Sequence, residues 1–98
     1  MAHPLDPLRQ LDPSYMSQIE GLREMALAPG SLPLKYKLLI GLAIDTVEKS
    51  EAGIKSLAEQ AVAAGATADE IAETLRVVGW IAGIGPLYSA ARALQEIV

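Results

Sequence analysis

The chain has 98 residues, of which 51% are apolar, with no cysteine and a net charge of −4. That describes one small domain with a core of its own, and it excludes a disordered tail, disulfides, thiolate nucleophiles and Cys-ligated zinc. The eight Lys and Arg residues are scattered rather than clustered, which argues against nucleic acid or an anionic membrane as a partner.

Residues 1–12 contain Pro4 and Pro7 and read as an extended N-terminal arm; residues 13–98 read as a single domain. No basic region followed by an apolar run opens the chain, so a cytoplasmic protein is expected. Asp12-Pro13 has the form of a helix cap followed by proline at the first helical position. The first helix is predicted from Pro13 to about Leu27, with Met16, Ile19, Leu22 and Leu27 as its apolar stripe.

A second helix is predicted after Ser31, with Pro33 in its first turn, ending near Lys49. Tyr36, Leu39, Ile40, Ala43, Ile44 and Val47 give it a wide apolar face, which Leu38 and Leu42 widen further. Such a helix is expected to be covered on more than one side. The third helix starts at Ser50 as its cap and stops at Gly65, a natural left-handed terminator. Ile54, Leu57, Ala58, Ala61 and Val62 would face inward, and Glu51–Lys55 and Lys55–Glu59 have the spacing of local ion pairs.

The fourth helix opens with Thr67 and Glu70 at the spacing of a capping box and turns Ile71, Leu75 and Val78 inward. After Arg76 its polar face disappears, and "GIGP" at 83–86 breaks it. A fifth helix is predicted from about Pro86 to Ile97. The apolar stretch from Val77 to Leu87 is too short to span a bilayer. The reading is all-α with about five helices. Since 98 residues cannot cover the second and fourth helices on every side, a homo-oligomer joined through the second, fourth and fifth is expected.

"LPLKYKLLIGLAIDTVEKSEAGIKSLAEQAVAAGATADEIAETLRVVGWIAGIGPLYSAARAL" at 32–94 resembles the carboxymuconolactone decarboxylase family, which includes the AhpD-like alkylhydroperoxidases. The most specific part is "AVAAGATADEIAETLRVVGWIAG" at 61–83. The resemblance implies an all-α subunit that assembles into trimers or hexamers. It also implies Cys-x-x-Cys-x-x-x-His ahead of the glycine stop in the AhpD-like branch. Those positions are Ser50, Gly53 and Leu57 here, and a relay glutamate one helix earlier falls near Leu38. The decarboxylase branch keeps only the histidine, again at Leu57. Peroxide reduction needs a thiolate and a resolving thiol, and a serine hydroxyl is not redox-active. Neither catalytic apparatus carries over.

Other groups remain as candidates. Asp45, Glu48 and Glu51 cluster in sequence where the family builds its site, as acid–base carboxylates or as a solvated helix end with Lys49 neutralising Asp45. No ligand spacing supports a metal, and no cofactor is expected. Tyr36, Trp80 and Tyr88, with Leu57, are candidates for a small apolar pocket, or else for core or interface. His3, the single histidine, could serve as a base in a neighbouring subunit's site or lie on the surface of the arm. The expected function is a non-redox small-molecule-binding or assembly protein. The alternative is a decarboxylase- or lactone-handling enzyme that uses the carboxylates.

Overall fold

The structure is a computed structural model and describes residues 4–97. Those residues form six helices and no strand: α1 (Asp6–Leu11), α2 (Pro13–Leu27), α3 (Leu34–Val47), α4 (Glu51–Ala63), α5 (Ala68–Ala82) and α6 (Gly85–Ala93).

The predicted caps form. The Asp12 side chain accepts from the Tyr15 backbone N–H at 3.1 Å, ahead of Pro13 in the first turn of α2. Thr67 accepts from the Glu70 N–H at 3.1 Å, and the Glu70 carboxylate accepts from the Thr67 N–H at 2.9 Å, so α5 opens with both halves of a capping box. Gly65 closes α4 at φ +103° and Gly83 closes α5 at φ +85°, backbone conformations in which a Cβ is strained.

Three local expectations change. The proline-bearing arm is not wholly extended, because residues 6–11 are helical. Pro7 stands in the first turn of α1, where its missing N–H costs nothing and its fixed φ suits the helix. Ser50 holds the cap position of α4 without making a side-chain cap bond. The last helix stops at Ala93 instead of Ile97; a turn follows, with Ile97 N–H donating to the Leu94 carbonyl.

The core lies among α3, α4, α5 and α6. Leu38, Leu39 and Leu42 meet Ile54, Ala58 and Ala61, closed by Ile71, Ala90, Ala93 and Leu94. Small residues set the spacing. A Cβ on Gly41 would stand 3.2 Å from a Leu57 methyl, and one on Gly79 3.2 Å from a Leu87 methyl, so α3–α4 and α5–α6 approach closely at these points. Thr46, fully buried, donates its hydroxyl to the Leu42 carbonyl at 2.8 Å and brings no unsatisfied group inside.

Several predicted inward residues face out. Of the α2 stripe only Met16 is buried, and Leu22 is exposed; Val62 on α4 is exposed too. The subunit covers α3 on one side only, burying Leu38, Leu39 and Leu42 while Tyr36, Ile40, Ile44 and Val47 stay exposed. The local ion pairs of α4 give way to longer-range ones. Lys55 bonds Glu96 and Glu51 bonds Arg92, each at 2.9 Å, tying α4 to α6 and the turn after it.

Candidate functional site

The sharpest local geometry lies where α3 hands over to α4. Glu48 N–H donates to the Ile44 carbonyl, Lys49 N–H to Thr46 and Ser50 N–H to Asp45, and the chain reverses through Lys49 at φ +60°. A lysine there occupies the left-handed region that glycine usually fills. The reversal lays the side chain of Asp45 over the first turn of α4. A Cβ built on Gly53 would stand 2.2 Å from Asp45 Oδ2 and 3.0 Å from Ser50 Oγ. Asp45 is half-buried, and no Lys49–Asp45 ion pair forms among the described residues.

The other two carboxylates do not join it. Glu48 is exposed at the end of α3, and Glu51 turns to Arg92. Among the described residues no group of three His, Asp or Glu side chains is arranged to hold a metal ion.

The candidate aromatics also separate. Tyr36 lines a groove of about 530 Å³ between α3 and α5, within the size range of small-molecule sites. Leu39, Ile40, Ala43 and Val77 give this groove its apolar wall, while Glu70, Glu73 and Thr74 bring polar groups from α5. Tyr88 lines a different depression with Ile84, Leu87 and Arg92. Trp80 is 84% exposed, and Leu57 lies half-buried against Gly41. His3 falls outside the described residues. Glu73, Thr74 and Val77 were missed as groove residues in the sequence. Their signal was the spacing from Glu70, which carries one face of α5 along α3.

One end of the groove is electrostatically set. Lys35 Nζ is 3.0 Å from Glu70 Oε2 and 5.1 Å from the centre of the Tyr36 ring. The bond to Glu70 raises the Lys35 pKa. Glu70 is held below its ordinary value by the Thr67 backbone N–H first and by Lys35 second. Across the molecule, Glu96 raises Lys55 through their hydrogen bond, and Lys55 lowers Glu96.

With this helical frame in view, the model of the carboxymuconolactone decarboxylase family matches residues 13–96. The chain belongs to that family. No significant match was found among curated proteins or among solved structures.

In this carboxymuconolactone decarboxylase family member, the positions singled out by the resemblance carry other groups. Ser50 stands at the start of α4, Gly53 lies under Asp45, and Leu57 packs on Gly41. Leu38, in place of a relay glutamate, is part of the core. The chain contains no cysteine at all.

Proposed function

We propose that this carboxymuconolactone decarboxylase family protein is a non-redox small-molecule-binding or assembly protein. The reading rests on one observation: the helical frame around Ser50, Gly53 and Leu57 is present while the thiols and imidazole that the resemblance implies are not. The α3–α5 groove, apolar with a few polar groups at its edge, has the composition that suits a small organic ligand. Thiol peroxidase chemistry has no nucleophile in this chain.

One observation favours a second reading, a decarboxylase- or lactone-handling enzyme. Asp45 sets its carboxylate over Gly53, where the resemblance implies the second cysteine of the motif, so an acid–base group borders the same stretch of α4. Glu48 and Glu51 would be auxiliary to it. Asp45 is therefore the residue on which that reading stands.

A thermal-shift screen of the full chain against small aromatic acids, lactones, quinones and divalent metals tests both. A ligand at about a hundred times its Kd raises stability by about 2.7 kcal/mol. A hit that survives Asp45→Asn supports the binding protein, and one abolished by it, together with turnover of the same compound, supports the enzyme. Peroxide turnover by the purified chain without added metal or thiol protein would overturn the non-redox reading.

A further inference from the structure

The polar side chains around the α3–α5 groove are acceptors with one exception. Glu70 and Glu73 are carboxylates, which when ionised have no hydrogen to give. The Thr74 hydroxyl spends its hydrogen on the Glu70 carbonyl at 2.8 Å, so it has only lone pairs left to offer. The Tyr36 hydroxyl alone among these side chains still has a hydrogen to donate, and its ring adds a negative π face.

The charges do not balance either. Among the described residues no lysine or arginine lines the groove; Lys35 reaches Glu70 from one end. With Glu70 matched by Lys35, Glu73 is left over, since it makes no ion pair among the described residues. Lys35 also displays how an ammonium is held here. Its Nζ stands 3.0 Å from Glu70 Oε2 and 5.1 Å from the centre of the Tyr36 ring, so a carboxylate and a π face hold it together. Glu73 lies three residues beyond Glu70 on the same face of α5, in the groove that Ile40 and Val77 also line.

We infer that the groove binds a protonated primary or secondary amine with a hydrocarbon body, its N–H groups on Glu73 and its body on Ile40 and Val77. The inference rests on the reading of the groove as a small-molecule site and names the class of ligand. An acid of the same shape brings a second negative charge to Glu73 and meets one donor. A neutral analogue fits the wall but leaves Glu73 unmatched. One positive head restores the balance and donates to the acceptors. Glu73 is exposed, so its charge selects the ligand while the apolar wall supplies most of the affinity.

Phenylbutylamine, phenylbutanol and phenylbutyrate share one body and differ in the charge of the head. Calorimetric titration of the full chain with each, at neutral pH and low salt, is expected to rank the amine above the alcohol by about three- to fivefold and to leave the acid weakest. Glu73→Gln is expected to bring the amine down to the alcohol without changing the alcohol. Glu73→Lys should reverse the order, placing the acid above the amine. Ile40→Ala should weaken amine and alcohol alike. Glu59→Gln, an exposed carboxylate on α4, should keep the wild-type order, which separates the groove from general attraction to an acidic chain. An alcohol or acid that binds the wild type as tightly as the amine overturns the inference and leaves the small-molecule reading standing. No binding by any of the three overturns the inference and removes the support the groove lends to that reading. Amine binding indifferent to Glu73→Lys overturns the inference as well. Should a variant fail to fold, the wild-type order of the three probes decides alone.

Discussion

Asp45 and Gly53 share one space: a Cβ on Gly53 would lie 2.2 Å from Asp45 Oδ2. Any side chain at 53 therefore requires Asp45 to turn away. Glycine in a helix costs about 1 kcal/mol relative to alanine, so Gly53→Ala ought to stabilise α4. In the wild-type background that gain is expected to shrink, because the carboxylate is expelled from its place over the first turn, where the helix dipole favours it by about 0.3–1 kcal/mol. In an Asp45→Ala background the full gain of about 1 kcal/mol is expected. A double-mutant cycle by urea denaturation should give a coupling of about 0.5 kcal/mol or more. Strict additivity would show that the two positions do not compete.

Lys49 is the described non-glycine residue at positive φ, at +60°. The left-handed conformation costs an L-residue about 1–2 kcal/mol, and glycine adopts it freely. Lys49→Gly is therefore expected to stabilise the chain by about 1 kcal/mol, less the greater freedom glycine has in the unfolded state. The side chain is exposed and makes no ion pair with Asp45, so little is lost with it. A chemical-denaturation midpoint unchanged or lowered in Lys49→Gly would show that the turn is not strained.

Local signals were legible before the fold was known. Asp12-Pro13, Thr67 with Glu70, and Gly65 each act through backbone groups within a few residues, and each forms as read. The α3–α4 reversal was not legible, because nothing in "VEKS" announces a lysine at positive φ; the pairing of Ser50 N–H with Asp45 imposes it. The Asp45–Gly53 approach was equally hidden. It joins residues eight apart on two helices, so it exists only once the turn has formed. The aromatics show the opposite failure. Tyr36, Trp80 and Tyr88 look like one pocket by composition, but they lie on three helices whose packing sends them to different surfaces. Periodicity identified the apolar faces of α3 and α5 without saying which stripes the subunit itself would cover.

The two leucines on either side of Gly41 should respond very differently to truncation. Leu42 is wholly buried at the centre of the core, whereas Leu57 is half-buried where α4 meets Gly41. Leu42→Ala is expected to cost about 3–5 kcal/mol, since the surrounding α3–α6 packing cannot collapse into the void. Leu57→Ala should cost about 1–2 kcal/mol, for loss of part of a transfer term with solvent able to enter. Equal losses in equilibrium unfolding would mean that Leu57 is held as deeply as Leu42, by cover the single chain does not supply.

The acid limb of stability should depend on Glu70 in a way that separates its two partners. Its folded pKa lies below the ordinary 4.5, so its contribution is fully present above 4.5 and is lost as the pH falls through the lower, folded value. Lys35, raised above 10.5, behaves oppositely: its contribution is present below 10.5 and is lost as the pH rises through its folded value. The pair is therefore at full strength between these limits. Glutamine can still accept from the Thr67 N–H, so Glu70→Gln keeps the capping box while removing the titration. It is expected to flatten this part of the acid limb. Lys35→Met should flatten it only in part, because the Thr67 N–H is the larger cause of the depression. Raising the salt should imitate Lys35→Met in part, since screening weakens a half-buried ion pair more than a hydrogen bond to the backbone. An unfolding-midpoint profile against pH would decide. If Lys35→Met and Glu70→Gln flattened the limb equally, the ion pair rather than the helix cap would be what holds this carboxylate.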